Sequence, residues 1–274
     1  MHSNSLSSCM RAIFLDLPLT LAAWFYFIFA FVFFFAPFYL AAFFFPNRDL
    51  IFQKLNRVYM KGFFFVLKAL SSRQGWQIDA ALGSCRGAVL LCNHLSYLDP
   101  LLLLAELNQS VTVVKARFFH LPIFGWVLKS AGYLPSSSEG KFAALMLQQM
   151  EKVPRLLARG GNIFIFPEGT RSADGRLSPL HPSALKLARR MQAPICVVRI
   201  DNTHRLFPRG HFLFTAHKKN CIRVHIVSVI NQNDPIYLGP LSDFMAHIQG
   251  LLAGTLKNTP LDKAIMPRST ASFV

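Results

Sequence analysis

Acidic side chains are scarce in this 274-residue chain: 13 Asp and Glu stand against 29 Lys and Arg, a formal charge of +16. So basic a balance points to an anionic partner, either nucleic acid or an anionic lipid leaflet. Cysteines are few as well. Cys9, Cys85, Cys92, Cys196 and Cys221 are odd in number and widely spaced, with no C-x-x-C and no zinc-like Cys/His grouping. That pattern excludes a disulfide framework and a zinc centre; no metal is expected, and the thiols read as small buried hydrophobes in a reducing compartment. Neither G-x-x-x-x-G-K-[ST] nor G-x-G-x-x-G occurs, which argues against a nucleotide phosphate in a glycine loop. No G-x-S-x-G elbow supplies a serine nucleophile. Internal repeats are absent, and the length suits one catalytic domain with or without a membrane anchor.

Phenylalanine is what the chain has in excess, 27 residues crowded toward the N-terminus. Residues 17–47, LPLTLAAWFYFIFAFVFFFAPFYLAAFFFPN, contain no charge. As one helix they would reach roughly 46 Å, against a hydrocarbon core of about 30 Å. Pro37 therefore suggests a kink or re-entrant turn, leaving a single helix and a hairpin both open. No small-residue cleavage site follows, so the segment is expected to stay on the protein. Over 50–70 a second helix places Lys54, Arg57, Lys61 and Lys68 on one face. Two readings stand: an interfacial helix on an anionic membrane surface, or an amphipathic helix packed on the domain. Basic residues following an apolar segment favour lipid over nucleic acid and put the domain on the cytoplasmic side.

Beyond residue 74, β-rich and helical runs alternate. Strands are predicted at Trp76–Ile78, Ala88–Cys92, Val111–Lys115, Asn162–Phe166, Ile195–Ile200 and Ile222–Val229. Helices are predicted at Pro100–Leu107, Ile123–Ala131, Lys141–Ala158, Ser183–Met191 and Leu241–Leu256. The fold class is α/β, a mixed and mostly parallel sheet flanked by helices, with sites expected at strand ends. The chain divides into an anchoring segment 1–73, a domain 74–260 and a basic tail 261–274.

Two strand ends carry unusual polar residues. In CNHLSYLDP, Asp99 followed by Pro100 reads as a helix N-cap with proline at the first helical position. It reads equally as a carboxylate orienting His94, which would then act as a base on a substrate hydroxyl. In FPEGTRS, Gly169 permits close backbone approach and Arg171 offers a planar fork for phosphate or carboxylate. Glu168 either accepts from a hydroxylated substrate or makes a local pair with Arg171.

NHLSYLD with FPEGTRS about seventy residues later resembles the PlsC-like glycerophospholipid acyltransferase family, the lysophosphatidic acid acyltransferase group. KARFFHLPIFGWVLKSAGYL from Lys115, with Pro122 and Gly125, is similar to the family's second block, and APICVVRI to its fourth. The likeness covers roughly residues 75–230. It implies the glycerolipid acyltransferase fold and transfer of a fatty acyl chain from acyl-CoA or acyl carrier protein to a lysophospholipid hydroxyl, with no cofactor. On that likeness His94 is the general base and Asp99 holds it. Glu168, Gly169, Thr170, Arg171 and Lys115 place the acceptor and its phosphate, while Asn93, Ser96, Pro167, Pro122 and Gly125 support the motifs. The chain departs from the family in three places. Pro135 and Ser136–Ser138 stand where the second block often ends in an arginine, with Lys141 the nearest cation. Val197 replaces a proline of the fourth block, and Leu180, His181 and Ser183 replace a phenylalanine, lysine and glycine. An acceptor other than 1-acyl-glycerol-3-phosphate, such as a lyso-ornithine lipid, and a non-catalytic lipid-binding relative are the alternatives.

Overall fold

A computed structural model of the chain describes residues 2–136 and 140–256, with side chains from Phe14 onward. The basic tail 261–274 and residues 257–260 of the expected domain lie outside the described residues.

The apolar segment is one unbroken helical rod and not a hairpin. Helix α1 (His2–Phe25) passes into wide π-helical turns at Tyr26–Phe35 and then into α2 (Ala36–Phe43). Pro37 does not break it. A proline lacks an N–H and its ring opposes the carbonyl four residues back; the wide winding just ahead of Pro37, with Ala36 N–H bonded to the Phe31 carbonyl, absorbs that misfit locally. Phe14–Phe43 is long and apolar enough to cross a membrane, with mean hydropathy 2.2 and only 22% of its most apolar stretch buried.

After a turn, α3 (Arg48–Leu70) runs back along the rod. Tyr26 and Tyr59 stack, Tyr26 Oη donates to the Tyr59 carbonyl at 2.9 Å, and Tyr39 Oη donates to Asn56 Oδ1 at 2.6 Å. The other side of α3 packs along α4 (Leu98–Glu106). Phe52, Tyr59, Phe63, Phe64 and Leu67 are buried between the rod and the domain. The basic stripe is split: Arg57 donates to Asn108 Oδ1 at 2.9 Å and Lys68 lies 3.9 Å from Glu106, while Lys54 and Lys61 are exposed. The half-exposed Lys68–Glu106 pair contributes at most about 1 kcal/mol, so the aromatic face fixes the helix. Packing on the domain, one of the two sequence readings, is what α3 does.

The domain is a seven-stranded sheet in the order β1-β7-β6-β2-β5-β3-β4. The strands are β1 (Gln74–Ile78), β2 (Val89–Cys92), β3 (Ser110–Lys115), β4 (Leu134–Ser136), β5 (Asn162–Ile165), β6 (Ile195–Asp201) and β7 (Asn220–Ile230). From β6 to β4 all pairings are parallel; β7 is antiparallel to β6, and β1 is parallel to β7. VLLC and NIFI are entirely buried, as continuous apolar runs covered on both faces must be. Helices α5 (Pro122–Ser130), α6 (Lys141–Ala158), α7 (Pro182–Arg190), α8 (Thr203–Leu206), α9 (Pro235–Leu238) and α10 (Leu241–Ala253) complete it. All six predicted strands are present. β4 is an addition; Pro135 is tolerated because this three-residue strand lies on the sheet edge.

Candidate active site

Because β2 to β6 are parallel, their C-terminal ends share one edge of the sheet. That edge gathers the loop after β2 (His94), the turn after β3 (Arg117), the loop after β5 (Glu168 to Ser172) and the start of α8 (Thr203).

His94 Nδ1 lies 3.0 Å from Asp99 Oδ2. The same oxygen accepts the N–H groups of Leu95 (2.5 Å) and Ser96 (2.7 Å), and Oδ1 accepts the Thr203 hydroxyl at 2.5 Å. Asp99 is wholly buried, whereas the His94 side chain is 16% exposed. Four donors thus satisfy the oxygens of one buried carboxylate. The N-cap reading of Asp99 is corrected: α4 begins at Leu98 with Tyr97 as its flanking residue, so Asp99 lies inside the first turn and Pro100 follows it. Its carboxylate folds back onto the loop because His94 and two loop amides converge there.

The second motif grips the first. Glu168 is 1% exposed; Oε1 accepts the His94 N–H at 2.7 Å and Oε2 the Ser178 N–H at 2.7 Å. Burial raises its pKa above the ordinary value, and the two backbone N–H groups oppose the rise. Ser172 N–H donates to the His94 carbonyl at 2.8 Å, and the imidazole stacks on Phe166 with centroids 4.2 Å apart. Backbone N–H, carbonyl, ring face and Nδ1 of His94 are thus all engaged. Among the described residues no group bonds to Nε2, the nitrogen left for chemistry.

The other expected residues fall into place as follows. Asn93 makes a two-way clasp with Ile200 of β6, at 2.7 Å in each direction, so it holds the neighbouring strand and not its own loop. Ser96 Oγ donates to the Phe207 carbonyl at 2.8 Å. The Pro167 carbonyl accepts the His181 N–H at 2.8 Å. Gly169 has φ +63°, a left-handed turn that glycine adopts without strain, and Thr170 beside it is exposed. Pro122 opens α5, and Gly125 stands where a Cβ would lie 2.4 Å from the Phe119 carbonyl oxygen. Both shape the turn that bears Arg117. Arg171 lies over the Tyr97 ring, 3.4 Å from its centroid. Burial lowers its pKa, Tyr97 opposes this, and the charges of Arg209 and Arg117 add to the fall. Lys115 is exposed at the end of β3, and Arg117 follows two residues on, also exposed. Lys141 is exposed at the start of α6, its Nζ 5.4 Å from the Phe142 ring.

Thr203, which opens the short helix α8, and Arg209, in the loop after it, carry no motif that the sequence makes legible, and Arg117 lies unremarked within the second block. No cluster of metal-binding side chains occurs among the described residues.

A His/Asp pair clamped at the C-terminal edge of the sheet has the geometry of an oriented acid–base group. Residues 79–201 match the model of the family described as Acyltransferase. A chloroplastic 1-acyl-sn-glycerol-3-phosphate acyltransferase of Brassica napus is 32% identical over 123 residues, 44% of this chain and 35% of its own length. The enzyme of the same name from Saccharomyces cerevisiae is 25% identical over 182 residues, 65% of this chain and 58% of its own length. The stretch matched in the first two relatives is about a third of their length, 35% and 34%. The crystal structure of the 1-acyl-sn-glycerophosphate acyltransferase PlsC from Thermotoga maritima superposes with a TM-score of 0.66 at 20% identity, covering 89% of this chain and 95% of that one. The fold is therefore shared with that enzyme, and the stretch 79–201 is similar to the Acyltransferase family.

Proposed function

We propose that this protein is a membrane-bound O-acyltransferase that moves a fatty acyl group from acyl-CoA or acyl carrier protein to the hydroxyl of 1-acyl-glycerol-3-phosphate, giving phosphatidic acid. The observation that carries the reading is the contact of His94 Nδ1 with the buried Asp99 carboxylate at 3.0 Å, which leaves Nε2 as the available base. Nε2 takes the acceptor proton as the acceptor oxygen bonds to the thioester carbonyl carbon. The carbon–sulfur bond then breaks, and the imidazolium returns its proton to the leaving thiolate. Asp99 stabilises the imidazolium through Nδ1–H. No acyl-enzyme is needed, because the thioester is already activated.

Arg171 is the first candidate to meet the acceptor phosphate, since its guanidinium lies over Tyr97, three residues beyond His94 on the same loop. Glu168 positions His94 and does not meet the acceptor. Phe14–Phe43 anchors the protein with its catalytic edge at the cytoplasmic membrane surface. The exposed Leu121, Ile123, Phe124, Phe212 and Leu213 around that edge support this. Lack of the second-block arginine favours a phosphate-free acceptor such as a lyso-ornithine lipid; the arginines beside the site weigh against it.

The test incubates the full chain in membranes with labelled acyl-CoA and a panel of lysolipids, with His94→Ala alongside. Transfer to lysophosphatidic acid that disappears in the variant is expected. Undiminished transfer by His94→Ala would remove the proposed base.

A further inference from the structure

The loop joining α8 to β7 touches three parts of the molecule at once. Ser96 Oγ, in the His94 loop, donates to its Phe207 carbonyl at 2.8 Å. Arg209 Nη1 donates to the Arg171 carbonyl at 3.2 Å. On the far side it is tied to α1: Asp16 Oδ1 accepts the His217 N–H at 2.8 Å, Thr20 Oγ1 accepts the Phe214 N–H at 2.9 Å, and Trp24 stacks on Phe212 with centroids 5.3 Å apart. Arg209 is thereby held between the membrane helix and the turn beside the base.

The charges around it are unbalanced. None of Arg117, Arg171 and Arg209 has a carboxylate oxygen within 4.0 Å among the described residues. Glu168, the acid of the same turn, spends both oxygens on backbone N–H groups facing inward. Asp99 is sealed beneath His94. Guanidinium groups brought to one sheet edge without a counter-charge favour a bound anion there. Phosphate, with three oxygens for planar forks, fits such a group better than a single carboxylate does.

We propose that Arg209, assisted by Arg117 from the turn after β3, the strand next to β5, completes with Arg171 the cradle for the phosphate of the lipid acceptor, in the role for which the end of the second block supplies no arginine. The inference rests on the acyltransferase reading and extends it. Phosphate also occurs on the coenzyme A donor, but Arg209 sits on the loop bound to the membrane helix, the side from which a lysolipid arrives. This assigns it to the acceptor.

The experiment compares wild type, Arg209→Gln, Arg209→Lys and Arg117→Gln as full chains in phosphatidylcholine nanodiscs. KM and kcat are measured separately for lysophosphatidic acid and for acyl-CoA, with monoacylglycerol as a phosphate-free acceptor. Arg209→Gln is expected to raise KM for lysophosphatidic acid about tenfold to a hundredfold, the effect of a lost charge-assisted hydrogen bond. KM for acyl-CoA and turnover of monoacylglycerol should match wild type, Arg209→Lys should lie between, and Arg117→Gln should show a smaller rise. Because Arg209 is exposed, an unchanged melting temperature is expected to accompany these effects. An unaltered KM for lysophosphatidic acid in Arg209→Gln, or a rise confined to acyl-CoA, would overturn the assignment while leaving the acyltransferase reading intact. Failure of wild type to acylate any lysolipid would instead sink that reading and this one with it.

Discussion

The backbone N–H of His94 is bound by the carboxylate of Glu168, 2.7 Å away in space and 74 residues away along the chain. The bond ties the two motif loops together and fixes the peptide that carries the proposed base. Glu168→Gln would turn an amide NH2 toward one of two backbone N–H donors and so lose one contact. We expect kcat to fall about tenfold, the effect of a misplaced catalytic group, with KM for the acceptor nearly unchanged. Steady-state kinetics separate this from a role in acceptor binding, which would raise KM instead.

Glu168 also carries a pH signature. Burial raises its pKa above the ordinary 4.5, despite the opposing N–H groups of Ser178 and His94. A carboxyl with a raised folded-state pKa disfavours the folded form once ionised. That penalty is absent below the unfolded pKa and complete above the folded one. Relative to Glu168→Gln, wild type should therefore lose stability as pH rises from about 4.5 toward neutrality. Melting temperatures of both proteins across that range test this; a constant difference between them would contradict it.

Asp99→Asn tests the charge beneath the proposed base with little change of shape. The amide oxygen can still accept from His94 Nδ1, Leu95 and Ser96, and its NH2 can face the Thr203 hydroxyl, which rotates to accept. What disappears is the negative charge that stabilises the imidazolium. Turnover should drop about 10²- to 10⁴-fold while melting stays near that of wild type. In combination with His94→Ala, the aspartate substitution should add almost nothing, because the two residues act as one unit.

Gly125→Ala addresses the turn that presents Arg117. The added Cβ would lie 2.4 Å from the Phe119 carbonyl oxygen and 2.8 Å from its carbon, so backbone must move. A loss of about 2 kcal/mol is expected, roughly 4–8 °C in Tm for a domain of this size. Thermal unfolding in detergent measures it, and a Tm equal to wild type would show that the turn gives way freely.

The α/β class was legible because strands buried on both faces must be apolar throughout: VLLC and NIFI announced themselves, as did the helical periodicity of Lys141–Ala158. Leu134–Ser136 did not, since a three-residue edge strand with a proline has no pattern to detect. His94, Asp99, Glu168 and Arg171 were legible as residues because each stands in a polar run at the end of an apolar strand. Their division of labour was not. The acidic residue of FPEGTRS looked outward to a substrate on sequence grounds, and folding turned it inward to a backbone amide.

The sequence by itself determined the long apolar N-terminal segment, the alternation of strands and helices, and the two motifs, because all of these are encoded by neighbours along the chain. Tertiary structure alone decided that Pro37 leaves the rod unbroken, that Asp99 is a buried acceptor of four donors and no helix cap, and that Arg117, Arg171 and Arg209 share one edge. Those outcomes depend on which strands pair and in which direction. Contacts such as Thr203 with Asp99, 104 residues apart, exist only once the parallel sheet has brought its loops to the same edge.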